Sequence, residues 1–216
     1  MGPNPESLNP EHVEEPMTTA HPSTKLTEEK YLAIERQAEE KSEYLGGEMF
    51  AMAGENREHN LIVTNLVINL GLQLKNGPCR VYSNDMRLKV RKGGLYTYPD
   101  VMVVCEEEHF LDGRRDTLLN PLLIIEVLSE STEVYDRGKK FGLYRALETL
   151  VEYLLVTQTP PRIEQYVRQE DGRWLFSEAE GIGSDIILPS IGVTLGLSDV
   201  YDKVEWKSVP DELKTY

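Results

Sequence analysis

A chain of 216 residues, 40% hydrophobic and 28% charged, is long enough for one good core and reads as a globular protein. Its net charge of −14 argues against a general nucleic-acid binder. No apolar run approaches the roughly 20 residues that span a membrane, and no basic-then-apolar signal segment opens the chain, so a cytoplasmic location is expected. Only Cys79 and Cys105 are present. Cys105 closes an apolar run and reads as a core thiol, with neither a disulfide scaffold nor a zinc site expected.

The acidity lies in the flanks. Residues 1–40 carry 9 acids and 3 bases, residues 164–216 carry 11 and 5, and the middle, 41–163, carries 17 and 15. Residues 1–24 hold five prolines and no apolar period, the composition of a disordered tail. That leaves 25–216 as one domain.

Thr27 followed by Glu28 and Glu29 reads as a helix entry, with the helix running to about Glu40. Gly46-Gly47 between short apolar runs predicts a hairpin, which makes Glu43 and Glu48 ordinary solvated hairpin charges. Leucines and isoleucines from Leu61 to Leu74 recur at helical spacing, so a long helix is expected over Arg57–Lys75, stopped by Asn76-Gly77-Pro78. His59 in its first turn reads as a surface or capping histidine. Two strands are expected over Arg80–Arg91 and Tyr96–Cys105, turning at Lys92–Gly94. On the first, Arg87, Lys89 and Arg91 share a face, either solvated surface or a strip for phosphate contacts.

The chemistry centres on Pro121-Leu-Leu-Ile-Ile-Glu126-Val-Leu-Ser129, a buried-strand pattern with one carboxylate where a Val or Ile would be the default. Such a carboxylate costs several kcal/mol, roughly, unless it is paired, hydrogen-bonded or bound to a cation. A second apolar run, Tyr98-Pro99-Asp100-Val-Met-Val-Val, carries an acid at its mouth. A helix from about Glu133 to Leu147 then bears Asp136, Lys140 and Tyr144 at i, i+4 and i+8, hence on one face. Strands are expected at Val151–Val156, Arg162–Arg168 and from Arg173, with short apolar segments at 186–188 and 193–195 and a last helical turn near Asp199–Tyr201.

Two carboxylates on adjacent strands, converging at one end, make a hard-oxygen site for a cation such as Mg²⁺, which takes one or two carboxylates plus waters and substrate phosphates. A nearby lysine can orient water and offset phosphate charge, so the trio suits phosphodiester hydrolysis. The order Pro-Asp, strand Glu, Lys is that of the PD-(D/E)XK nucleases. The plain structural reading is that Asp100 caps a strand end while Glu126 and Lys140 form a buried ion pair.

The stretches Tyr98–Val104, Leu122–Ser129 and Asp136–Val156, with Tyr44–Gly54 and His59-Asn60, resemble the Uma-type family of restriction-endonuclease-like proteins within that superfamily. The resemblance covers about residues 27–200. It implies an α/β fold with a mixed central sheet flanked by helices. It further implies Asp100 and Glu126 as metal-binding acids, with the main-chain carbonyl of Val127, Lys140 as catalytic lysine, and Glu43 as a further acid of the site. One departure is that the position two after the glutamate holds Leu128, so the lysine has moved to the following helix. Lys139 competes there with Lys140, which is preferred for the face it shares with Asp136 and Tyr144. The implied cofactor is Mg²⁺ or Mn²⁺, the substrate DNA, and the assembly a homodimer. The alternative is a catalytically inactive module on the nuclease fold, favoured by the net acidity and by the lack of a recognisable DNA-reading element.

Overall fold

The computed structural model describes residues 25–92 and 94–206; the tail expected at 1–24 lies outside them. Helix α1 (Glu28–Glu35) starts where the Thr27 side chain accepts from Lys30 N, and it ends at Glu35, earlier than expected. Strands β1 (Ser42–Leu45) and β2 (Glu48–Ala51) form the hairpin across Gly46-Gly47, both at positive φ. Helix α2 (Arg57–Gln73) is capped by the Asn56 side chain, which accepts from His59 N.

The two strands expected over 80–105 are four: β3 (Arg80–Ser83), β4 (Arg87–Val90), β5 (Leu95–Thr97) and β6 (Val101–Val104). A turn at Asn84-Asp85 separates the first two, with Met86 N donating to Ser83 O. Pro99, which has no N–H to donate, lies between the last two. The breaks send these strands into different sheets. There follow β7 (Thr117–Leu118) and β8 (Leu123–Val127). A helical stretch comes next: α3 (Glu133–Tyr135), a π-helical turn over Asp136–Lys140, and α4 (Phe141–Tyr144). The chain ends in β9 (Glu152–Val156), β10 (Arg162–Arg168), β11 (Trp174–Glu180), the hairpin β12 (Asp185–Leu188)–β13 (Val193–Gly196), and α5 (Leu197–Val200).

The central sheet has the order β11-β10-β9-β8-β6-β3. It is mixed, because β8 and β9 run parallel while the other neighbours are antiparallel. Side chains alternate across it. Val101, Val103, Leu123, Ile125 and Val127 face α2, which inserts Ile62, Leu66 and Leu70. Met102, Val104, Ile124 and Leu155 point the other way, to Tyr144 and to a smaller sheet of order β2-β1-β5-β4-β7. The same alternation turns Glu126 toward the helix that carries Lys140.

Two further expectations are corrected. Cys105 is not a free core thiol: it forms a disulfide with Cys79, just beyond the Arg80↔Val104 end of the β3–β6 register. Arg87 and Lys89 are not a solvated or phosphate-contacting strip. Arg87 is buried against Thr117, Tyr98 and Asp116, and Lys89 pairs with Glu28. Short apolar strands in a two-sheet arrangement leave that side of β4 facing protein, so its cations are used internally.

Asp116 is the node joining α1 to the small sheet. Arg36 donates to both of its oxygens at 2.8 and 2.9 Å, and Arg87 lies at 3.2 Å. Burial alone would raise the Asp116 carboxyl, but Arg36, Thr117 and Arg87 hold it below its usual value. A depressed carboxylate stabilises the fold above its unfolded pKa and loses that contribution as pH falls through the folded one. Asp116→Asn should therefore cost about 1–2 kcal/mol at pH 7 and less at pH 3, read from urea midpoints at the two pH values.

Candidate active site

Asp100 sits at the mouth of β6, and Glu126 sits next door in β8, where Val101 pairs with Ile125. The two carboxylates lock each other in place through the backbone. Val127 N donates to Asp100 Oδ2 at 2.8 Å, and Asp100 N lies 3.3 Å from Glu126 Oε2. Glu126 is 3% exposed. Its other oxygen, Oε1, accepts from Tyr144 OH at 2.7 Å and lies 3.0 Å from Lys140 Nζ.

Lys140 reaches this point because of the π-helical turn. Phe141 N donates to Asp136 O, a five-residue step, and Tyr153 OH donates to the same carbonyl at 3.2 Å. The widened turn keeps both Asp136 and Lys140 on the sheet side, 3% and 6% exposed. Lys140 Nζ then lies 3.2 Å from Asp136 Oδ1 and 3.4 Å from Glu43 Oε1, besides Glu126. Lys139, one residue earlier, is exposed and meets none of these acids.

Glu43 is not the solvated hairpin charge that its turn suggests. Its side chain is 13% exposed and accepts from Thr97 Oγ1 across the β1–β5 junction. Glu48, its counterpart across the turn, is exposed. His59 is likewise buried, at 3%, with Nε2 3.2 Å from Asp100 Oδ2. Its place in the first turn suggests a surface or capping histidine instead. The available signal was a histidine one turn after an Asn cap on an otherwise apolar helix face, but its partner lies 41 residues away.

Electrostatics follow from this packing of four acids and one lysine. Burial is the main reason the Glu126 carboxyl rises, to about 8; Lys140 opposes the rise while Asp136 and Asp100 add to it. Burial would lower the Lys140 ammonium, but Glu126 foremost, then Tyr144, Glu43 and Asp136, hold it well above the ordinary lysine value. Lys140 therefore holds its proton at neutral pH. For His59, burial pulls downward and Asp100 more than offsets it, so its pKa rises.

These groups line one end of a cavity of about 720 Å³, walled by the β1–β2 hairpin, the start of α2 and the π-helical turn, and including Tyr98, Tyr135 and Asn84. Among the described residues no set of three or more His, Cys, Asp or Glu side chains converges as metal ligands. An all-protein cage is thus not built here. The donor set instead fits a hard cation that keeps most of its waters. Among the described residues Asp100 Oδ1 has no hydrogen-bond partner, and Asp136 Oδ1 is buried without a well-formed one.

Comparison with known proteins agrees with this architecture. The Synechocystis sp. protein sll1609 is 41% identical over 161 residues, which is 74% of this chain and 91% of that protein. The Synechocystis sp. protein slr1290 is 36% identical over 182 residues, 83% of this chain and 93% of that one. A crystal structure from Anabaena variabilis, described as a "putative nuclease belonging to DUF820", superposes with a TM-score of 0.65 at 18% identity. It covers 80% of this chain and 96% of that one, which shows a shared fold. Residues 28–198 match the Uma2 family model, described as "Putative restriction endonuclease". Fold, relatives and family model agree, and the chain belongs to the Uma2 family.

Proposed function

We propose that the protein is a divalent-metal-dependent DNA endonuclease and that its reaction centre is Asp100, Glu126 and Lys140, with Glu43 in support. The observation that carries this reading is the convergence of the two strand carboxylates with a charged lysine, 3.0 Å from Glu126, at the floor of an open cavity. A purely structural ion pair has no need of a cavity above it or of a second strand acid beside it.

Mg²⁺ or Mn²⁺ would be held by Asp100 and Glu126, with the Val127 carbonyl. When bound, it supplies Lewis-acid polarisation of the scissile phosphate. The chain's own residues do the rest. Lys140, held as an ammonium, orients the attacking water and offsets charge developing on the phosphate oxygens. Tyr144 and the Asp100 N–H fix the Glu126 carboxylate, while His59 and the Val127 N–H fix Asp100. Asp136 and Glu43 hold the Lys140 ammonium in register. As a homodimer, the chain would bring two such centres to the two strands of a duplex.

Metal should stabilise the protein, because buried carboxylates sharing one lysine repel one another. For a site of about 1 mM affinity, 10 mM Mg²⁺ contributes about 1.4 kcal/mol, or roughly 3–6 °C in melting temperature. A thermal melt of the wild type and of Asp100→Ala tests this. An equal rise in both, or none in the wild type, removes the metal from this site. Conversion of supercoiled plasmid to nicked or linear forms with Mn²⁺ or Mg²⁺, and not with EDTA, tests the activity.

A further inference from the structure

A second concavity, of about 620 Å³, lies at the opposite end of the central sheet, where β9 begins rather than where it ends. It is bounded by the β4–β5 turn, the C-terminal end of α4 and the β10–β11 turn, and is lined by Lys92, Leu143, Arg145, Ala146, Arg168 and Trp174, with Gly142 and Gly172. No acid is among the lining residues. In a chain of net charge −14 that is unexpected.

Most cations of the described structure meet a carboxylate. These three do not: among the described residues Lys92, Arg145 and Arg168 form no ion pair. Arg168 donates once from each terminal nitrogen, from Nη2 to the main-chain oxygen of Arg145 at 2.5 Å and from Nη1 to that of Glu148 at 3.1 Å, and lies over the Trp174 ring at 4.9 Å. Its charge is positioned but not neutralised. Burial with no compensating acid lowers its pKa from the ordinary guanidinium value. Arg145 lies over the Phe141 ring at 5.4 Å, its guanidinium also without a carboxylate. A guanidinium fork matches the geometry of a phosphate, and three cations exceed what one carboxylate would balance. Trp174, Leu143 and Ala146 supply an apolar wall beside the charges.

We infer that this concavity is a binding site for a phosphate monoester, with the phosphate on Lys92, Arg145 and Arg168 and the organic body against Trp174 and Leu143. A free nucleotide and the 5′ end of a nucleic acid share this chemistry. The inference is independent of catalysis in the main cavity.

The test follows Trp174 fluorescence in the full chain carrying Trp206→Phe, so that one tryptophan reports, with EDTA present. The probes are inorganic phosphate, thymidine 5′-monophosphate and thymidine, against chloride at matched ionic strength. A saturable response to phosphate and to the nucleotide, absent with thymidine, is expected. Lys92→Ala with Arg145→Ala should weaken it at least about tenfold, since each removes a charge-assisted contact. Arg168 is left intact, because it also holds the end of α4. A 5′-phosphorylated oligonucleotide that binds more tightly than the nucleotide assigns the ligand as a nucleic-acid end, and equal affinity assigns it as a free nucleotide. No saturable response by about 10 mM phosphate overturns the inference, as does a response that the double variant leaves unchanged.

Discussion

Lys140→Ala should lower the unfolding free energy by about 3–5 kcal/mol at pH 8, because it strands buried carboxylates without their shared cation. Glu126 and Asp136 are 3% exposed, and the Glu43 side chain 13%. Their remaining hydrogen bonds, from Tyr144, the Asp100 N–H and Thr97, do not neutralise charge. Unpartnered buried acids take up protons readily, so the folded variant gains protons relative to the unfolded chain. Stability of that kind is lost as pH rises. The deficit against wild type should thus shrink toward pH 5, where protonation relieves the repulsion. Lys139→Ala, on the exposed neighbour, should stay within about 0.5 kcal/mol at both pH values. Urea denaturation of the three proteins at the two pH values reads the difference.

Glu126→Ala should cut DNA nicking by about 10²–10³-fold or more, the usual cost of removing one preorganised electrostatic partner of a reacting phosphate. The effect exceeds a simple stability loss, because the variant removes a strand acid and also frees Lys140 from its closest partner at 3.0 Å. Single-turnover rates at saturating metal, measured at a temperature where circular dichroism shows the variant folded, separate the two contributions. A rate within a few-fold of wild type would mean that Glu126 serves only as half of a buried ion pair.

How far the sequence carried this account differs from residue to residue. Glu126 was legible because a lone acid inside an apolar strand has few physical excuses. Lys140 followed from four-residue spacing on a helix, and the π-helical turn preserved that shared face even though it altered the ladder. Asp100 was legible by its place at a strand mouth. His59 was not, because burial of a first-turn residue depends on how α2 docks on the sheet. Glu43 looked like a turn charge, and only the family resemblance linked it to the site. Its contact with Lys140 arises from a β1–β5 pairing between distant segments. The disulfide was missed for the same reason: Cys79 and Cys105 are 26 residues apart, and only the register of β3 on β6 brings them together. The division of 80–105 into four strands needed knowledge of two sheets, whereas local alternation suggested one hairpin. Net charge describes the chain as a whole and does not say where cations gather: three that form no ion pair among the described residues line one acid-free concavity.

The module reading and the nuclease reading share every contact described here. Both predict a stabilising Glu126–Lys140 pair, so stability alone does not separate them. Catalysis does. The measurement that tests the central claim most directly is nicking of supercoiled plasmid by wild type, Glu126→Ala and Lys139→Ala, each with Mn²⁺, Mg²⁺ or EDTA. The expected result is metal-dependent nicking by the wild type and by Lys139→Ala, and nicking by Glu126→Ala at least about a hundredfold slower. Nicking by Glu126→Ala within a few-fold of wild type, nicking that survives EDTA, or no nicking by folded wild type with either metal would contradict it.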